Sequence, residues 1–269
     1  MKKIIPKVSI LVPVYNENVE ILTQSLKSIA SQTFREFECI IVDDSTNWAT
    51  INACKSFCNS DNRFKYIKPP HRLGLAASLN KALAEASGDL IARFDADDIC
   101  MPNRISRQFD FLTSHSDVDV LGTGIRIIDE GGKVLHRRIY PSTHKLIDRK
   151  FIFTTAIAHP TVMVRRSVFL SAGGYDESFK FAEDLELWLR LLNIGAKFHN
   201  LADELILYRQ SKTSRSKNNW HSNIRARIKN LSFRFFPLNI LSIMGIFIWS
   251  LLPKFLQELI YKALMLKIA

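Results

Sequence analysis

The chain has 269 residues, 47% hydrophobic and 23% charged, enough for one large domain or one domain with an appendage. Its composition is that of a globular protein without low-complexity segments or repeats, and its four cysteines (Cys39, Cys54, Cys58, Cys100) are too scattered for a disulfide framework or a zinc site. The net charge of +11 is uneven: from Leu205 to the end there are 11 basic residues against the single acid Glu258, giving +10 there and leaving the rest near neutral.

The N-terminus, MKKIIPKVSILVPVYNE, has lysines before apolar residues. Pro6 and Lys7 interrupt the run and no small-residue cleavage site follows, so it does not read as a signal peptide. KVSILVPV (7–14) instead predicts a buried strand, leaving the catalytic part in the cytoplasm. A helix is expected over 19–32, a second strand at FECIIVDD (37–44), a helix over 48–58 and a third strand at RFKYIK (63–68). LGLAASLNKALAEAS (73–87) predicts a helix closed by Gly88 as its C-cap, and DLIARFD (89–95) a fourth strand. Continuous apolar strands alternating with helices predict a parallel sheet covered on both faces, an α/β fold of Rossmann-like type.

After residue 100 the pattern changes. MPNRISRQFDFLTSH (101–115) predicts a helix with Pro102 at its start. VDVLGTGIRIID (118–129) and KVLHRRIY (133–140) flank Glu130-Gly131-Gly132, a hairpin signal. Residues 143–152 look helical, HPTVMVRR (159–166) looks like a strand, and a leucine-rich helix is expected over 183–192.

In open α/β sheets, ligands sit beyond the carboxyl ends of the strands. The first strand ends at Pro13-Val14-Tyr15-Asn16-Glu17, the second at Asp43-Asp44, the fourth at Asp95-Ala96-Asp97-Asp98. Acids gathered on one rim are unfavourable without a cation among them, and carboxylates are the ligands Mg²⁺ and Mn²⁺ prefer. The plainer alternative for Asp95–Asp98 is an acidic cap before the following helix. Asp43 and Asp44 are either a solvated turn or acceptors for a base N–H. Glu183-Asp184 either complements a helix dipole or supplies a general base.

These segments, in this order and spacing, resemble the family 2 glycosyltransferases with the GT-A fold. The resemblance rests on SILVPVYNE (9–17), SLKSIASQTF (25–34), FECIIVDDST (37–46), GLAASLNKALAEASGDLIARFDADD (74–98), MPNRISRQ (101–108), HPTVMVRRSVFLSAGGYDESFKFAEDLELWLRL (159–191) and ELILYR (204–209). It is nearest in character to bacterial enzymes of capsule, exopolysaccharide or O-antigen assembly. It implies that Pro13, Tyr15 and Glu17 line the nucleotide pocket, that Asp44, beside Asp43, addresses the base, and that Asp95 faces ribose or metal. It implies Asp97 as the principal ligand of Mn²⁺ or Mg²⁺, supported by Asp98, and Asp184 as catalytic base. Glu183, His159 and Trp188 are acceptor-side candidates. A Gly often follows the paired acids of the second strand; here Ser45 does.

The expected organisation is a nucleotide-sugar-binding half (1–100), an acceptor-binding half (101–210) and a basic, apolar helical tail (211–269). The implied reaction is an inverting transfer from a nucleotide sugar, a UDP-sugar by family habit, to a saccharide or polyprenyl-linked saccharide. A nucleotidyltransferase that makes nucleotide sugars is the alternative. It would carry a Gly-rich, basic loop after the first strand, and PVYNENVE (13–20) has neither Gly nor Lys.

In the tail, FFPLNILSIMGIFIWSLLP (235–253) is strongly apolar but short for a span, and KFLQELIYKALMLKI (254–268) has amphipathic helical spacing. These segments predict attachment to an anionic membrane surface at the cytoplasmic face, with the basic residues meeting lipid headgroups. A pair of core-packing helices is the plainer alternative. The positive charge accompanies a lipid-like run without interleaved base-stacking aromatics, which argues against nucleic acid as the partner.

Overall fold

The structure, a computed structural model, describes residues 5–210, 219–253 and 256–257. It begins with β1 (Val8–Val14), α1 (Val19–Ala30), β2 (Phe37–Asp43), α2 (Trp48–Ser60), β3 (Phe64–Ile67), α3 (Leu75–Ala84) and β4 (Leu90–Arg93). These are the seven elements the apolar pattern predicts. β1 pairs in parallel with β2 (Val8↔Phe37 to Val14↔Asp43) and with β4 (Val8↔Leu90 to Leu11↔Arg93), and β2 with β3. β2 is buried along its whole length, which is why it reads as an unbroken apolar run. Asn18 and Asn47 cap α1 and α2 by accepting backbone N–H bonds.

Gly88 has a different role from the one expected. α3 ends at Ala84, and Gly88 lies against the backbone of β1: a Cβ there would meet Ser9 N and Val8 C at 2.8 Å. The glycine permits close approach of two chain segments and is not a helix cap.

The second half adds β5 (Ile99–Cys100), α4 (Arg104–Ser114), β6 (Val120–Ile128), β7 (Val134–Arg138), α5 (His144–Phe151), β8 (Met163–Arg165), α6 (Arg166–Ser171), α7 (Glu183–Asn193), β9 (Phe198–Arg209), α8 (Trp220–Lys229) and α9 (Leu238–Leu251). Among the described residues one nine-stranded sheet runs β3-β2-β1-β4-β8-β6-β9-β5, with β7 hung on β6. The parallel expectation holds for the first four strands and for β6–β9. β4–β8, β6–β8, β6–β7 and β5–β9 are antiparallel. The expected strand over 159–166 splits into a 3-10 turn at His159–Thr161, where Pro160 removes a ladder donor, and a short strand at Met163–Arg165.

The tail is not uniformly a tail. α8 packs on α7 with Ala226 fully buried, and its cations turn toward the domain. Arg227 donates to Phe151 O at 2.6 Å and Ile152 O at 2.8 Å, Lys229 pairs with Asp176 and Glu186, and Arg234 pairs with Asp148 at 3.4 Å. These groups are therefore partly engaged by the domain, although the Lys229 and Arg234 side chains remain 46% and 40% exposed. α9 is apolar and 14 residues long, and no helix of the described residues is long and apolar enough to cross a membrane. The amphipathic segment 254–268 lies almost wholly outside the described residues, as do Lys212, Arg215 and Lys217.

Candidate active site

The carboxyl ends of β1, β2 and β4 open on a cavity of about 540 Å³. Pro13, Tyr15, Glu17, Asp44, Asp95 and Asp97 all line it. The rim is held by Asn16, whose φ of 53° lies in the left-handed region that Asn tolerates better than most residues. Its backbone N–H donates to Ser45 Oγ at 2.8 Å, and its Oδ1 accepts from Thr46 N at 2.8 Å and Asn47 N at 3.1 Å. Asn16 thus ties the end of β1 to the end of β2. Asp44 does the same for the next loop: its two oxygens accept from the N–H groups of Leu73 and Gly74, both at 2.8 Å. Gly74 takes a φ of 83°, which admits the turn into α3. The loop also carries Arg72 over the Tyr15 ring, 4.3 Å from its centroid.

Asp43 stands apart. It is fully buried and faces inward, accepting from Tyr66 OH at 2.8 Å and Ser45 N at 3.0 Å, with Lys68 at 3.9 Å. Its side chain belongs to the sheet edge and does not reach the cavity. The two adjacent acids split because successive side chains at a strand end point to opposite faces.

Asp95, Asp97 and Asp98 each bring a carboxylate oxygen within 4.8 Å of the others. Arg93 grips Asp95 through both terminal nitrogens. Asp98 is fully buried, its Oδ1 accepts from the Arg209 backbone N–H at 2.8 Å, and its Oδ2 has no partner among the described residues. Burial, and after it the neighbouring Asp95, pushes Asp97 up to about 6. Burial likewise holds Asp98 well above the usual carboxylate range. Three carboxylates with an orphaned buried oxygen fit a hard divalent cation.

Across Arg93, Asp95 and Tyr208 from this cavity lies a second cleft of about 380 Å³, which holds Asp184, Glu183 and His159. A third, of about 560 Å³, shares Asp184, His159 and Tyr208 with it and is bordered by Arg138 and Lys150. Asp184 sits in the first turn of α7, behind Ala182, whose φ of 59° is left-handed and strained for alanine. Burial raises the Asp184 carboxyl. His159 is buried, bonds Tyr175 OH at 2.7 Å, and is held well below its usual range by burial and then by Arg93, so it is a neutral wall of the cleft. Trp188 is fully buried beneath His159, edge-on at 5.8 Å, and against Phe198 at 6.1 Å. It supports the cleft floor and is not an acceptor-side surface.

Several further residues complete the site. Arg72, Ser78, Arg93, Tyr208 and Arg209 all line the first cavity. Arg209 donates to Asp97 O at 2.9 Å and Glu130 O at 2.6 Å, clamping the acidic loop to the β6–β7 hairpin. Arg104, fully buried, donates to Arg93 O at 2.8 Å and Gln108, tethering the end of β4. A lone arginine within the apolar run of β4 was the visible hint.

Residues 9–172 match the sequence model of Glycosyl transferase family 2. The chain is 36% identical over 210 residues to the putative glycosyltransferase EpsE of Bacillus subtilis, covering 76% of this chain and 73% of that one. It is 34% identical over 221 residues to the O-antigen biosynthesis glycosyltransferase WbnJ of Escherichia coli, covering 80% and 84%. In fold it is similar to S. aureus TarS 1-349 in complex with UDP-GlcNAc, with a TM-score of 0.68 at 22% identity, covering 83% of this chain and 65% of that one. Against the longer TarS chain it spans 43% of that length. It is also similar to the mannosyltransferase PcManGT from Pyrobaculum calidifontis in complex with GDP-Man and Mn²⁺, with a TM-score of 0.64 at 16% identity, covering 91% and 70%. With the family pattern running through both the cavity and the acidic loop, on a GT-A fold, the chain belongs to glycosyltransferase family 2.

Proposed function

We propose that this protein transfers a sugar, with inversion, from a UDP-sugar to a hydroxyl of a saccharide or lipid-linked saccharide in cell-surface polysaccharide assembly. One observation carries the reading: Arg93, Asp95 and Tyr208 are the shared wall between the acid-lined cavity and the cleft that holds Asp184. A donor in the first and an acceptor in the second would meet at that wall. The UDP-GlcNAc complex of TarS and the O-antigen role in the name of WbnJ support the donor and pathway class.

In this reading the base lies beside Tyr15 and Arg72. Asp44 spends one lone pair per oxygen on Leu73 and Gly74, and a carboxylate has about four such sites, so it can still accept an imide N–H. Arg72, Arg93 and Arg209 offset the negative charge of the diphosphate. Asp97, with Asp95 and Asp98, would hold Mn²⁺ or Mg²⁺, which when bound neutralises charge growing on the leaving diphosphate. The Mn²⁺ in the PcManGT complex supports that class of ion. Asp184 takes the proton of the acceptor hydroxyl, the hydroxyl oxygen bonds to the anomeric carbon, and the bond to the nucleoside diphosphate breaks on the opposite face. One displacement inverts the centre, as in inverting glycoside hydrolysis with an acceptor replacing water. A raised Asp184 pKa makes it a better base than an ordinary carboxylate.

The test is a panel of nucleotide sugars with Mn²⁺, read as nucleoside diphosphate release. A UDP-sugar should turn over and chelator should stop it. No UDP binding and no turnover of any donor would overturn the reading.

We further propose that the protein works at the cytoplasmic face of the plasma membrane, attached through α9. Phe247, Ile248 and Leu251 there are 54%, 58% and 68% exposed, a face that favours an apolar surface. Because α8 is part of the domain, removal from residue 237 onward is the informative cut. It should release the protein from anionic vesicles and leave donor hydrolysis intact. Equal vesicle flotation with and without α9 would refute the attachment.

A further inference from the structure

Beside the Asp184 cleft runs a depression of a different chemistry. It has a volume of about 460 Å³ and is walled by Phe153, Trp220, Leu238, Leu241, Gly245 and Trp249. Among the described residues no charged side chain lines it. Phe153 is 60% exposed and Leu241 56%, so this apolar surface stands open. One edge is fixed, since the buried Ser242 hydroxyl of α9 donates to Ile152 O.

Two features make this a groove with a direction. Trp220 lines both the groove and the cleft that holds Asp184. On the facing segment, Phe153 lines the groove while its neighbours Thr154 and Thr155 line the clefts. The groove therefore begins where the cleft ends, and the cleft contributes a cation, Lys180. The groove is also kept empty by a glycine. Gly245 lies in the middle of α9, where glycine weakens a helix, and its φ is not left-handed. A Cβ added there would meet nothing within 4 Å. The missing side chain is what leaves the space open.

We infer that this groove takes the hydrocarbon chain of a lipid-linked acceptor, a polyprenyl-type chain whose phosphate-bearing head turns into the Asp184 cleft at Trp220. The inference rests on the transferase reading of that cleft. A long apolar chain gains by leaving water for a concave apolar wall. A flat bilayer contact would use the convex face of α9 and would not need a channel that leads to the catalytic acid.

The experiment uses the full chain with saturating UDP and Mn²⁺, so that the donor cavity is filled. Farnesyl diphosphate is the probe, inorganic diphosphate its control, and tryptophan fluorescence from Trp220 and Trp249 the readout. Farnesyl diphosphate should bind at least about 10-fold more tightly than diphosphate, since each buried methylene adds to affinity. Gly245→Leu, which fills the groove while keeping it apolar, should remove that advantage and leave UDP affinity unchanged. Vesicles of phosphatidylglycerol and phosphatidylethanolamine should bind wild type and variant alike. Should Gly245→Leu lose UDP binding, it is misfolded, and Leu241→Gln on the exposed groove wall replaces it with the same expected loss of chain affinity. Equal affinity for the two diphosphates, or a chain advantage that survives both substitutions, overturns the inference, as does loss of vesicle binding with the probe unaffected, which would make the groove a bilayer contact. If wild type fails to bind UDP at all, the transferase reading fails instead.

Discussion

Carboxylates at opposite ends of the parallel strands are treated in opposite ways. Glu38, at the amino end of β2 beside Ser9, is buried and fully served. It accepts from Ser9 Oγ at 2.7 Å, Ser87 N at 2.7 Å and Ser87 Oγ at 2.6 Å, and pairs with Lys65 at 2.6 Å. Burial alone would raise its pKa, but Lys65 and the serine donors outweigh it and bring it down to about 2. At the carboxyl end, half-buried Asp97 and fully buried Asp98 have fewer donors, and after desolvation the neighbouring Asp95 adds to the rise of both. Hydrogen bonds decide the sign, since both ends desolvate their acids. The satisfied end holds the fold together; the unsatisfied end is poised for an added cation.

The largest expected effect comes from removing the unsatisfied charge. Asp97→Ala should lower Mn²⁺-dependent donor turnover by about 10³-fold, the scale of losing a main electrostatic group at a transition state. The melting temperature should stay or rise, because a repulsive, half-buried charge is gone. Turnover assays beside thermal melts check both, and a variant that turns over normally would remove Asp97 from the site.

The opposite end should behave in reverse. Glu38→Ala should cost about 2 kcal/mol of stability, the scale for leaving buried hydrogen-bond donors such as those of Ser9 and Ser87 unsatisfied, with kcat unchanged in whatever fraction is folded. The pH dependence has a definite sign. Glu38 has a folded pKa below its unfolded value, so its contribution is complete above about 4.5 and is lost as pH falls through about 2. Urea midpoints between pH 5 and pH 2 should fall more steeply in wild type than in Glu38→Gln. Parallel slopes would contradict the assignment.

Next in size is the base. Asp184→Asn should keep UDP binding and lose transfer by about 10²-fold or more. Unchanged transfer at saturating donor would return Asp184 to the role of an acidic first-turn residue of α7.

The same contrast explains what could be read from the sequence. β1, β2 and α3 were legible because burial on both faces writes an unbroken apolar run or a helical stripe. Pro13, Tyr15, Glu17, Asp44, Asp95 and Asp97 were legible as strand-end residues, and the structure gathers all six around one cavity. Asp43 and Trp188 were misplaced because their direction depends on the pleat and on helix phase. Arg72, Arg209 and Tyr208 arrive from loops and a strand distant in the chain, so only the folded topology brings them in. α8 read as a polar tail because its anchors are charge pairs, such as Lys229 with Asp176, with Ala226 the one fully buried apolar side chain.

The smallest effect concerns the backbone that presents the base. Ala182 and Asn16 are the non-glycine residues with positive φ among those described, and both stand at the mouth of the site. Asn16 is compensated by its bonds to Ser45, Thr46 and Asn47. Ala182 has only a methyl group and no polar atom to compensate with, and a left-handed alanine costs about 1–2 kcal/mol. Glycine would remove that strain but adds freedom to the unfolded chain worth about 0.5–1 kcal/mol. Ala182→Gly should therefore stabilise by about 0.5 kcal/mol, a small rise in urea midpoint at constant slope. Because Ala182 immediately precedes Glu183-Asp184, the looser backbone should also lower transfer a few-fold while donor hydrolysis, which needs no acceptor base, holds steady. A loss of stability would mean that the left-handed turn is not strained, and unchanged transfer would mean that it does not set the aim of Asp184.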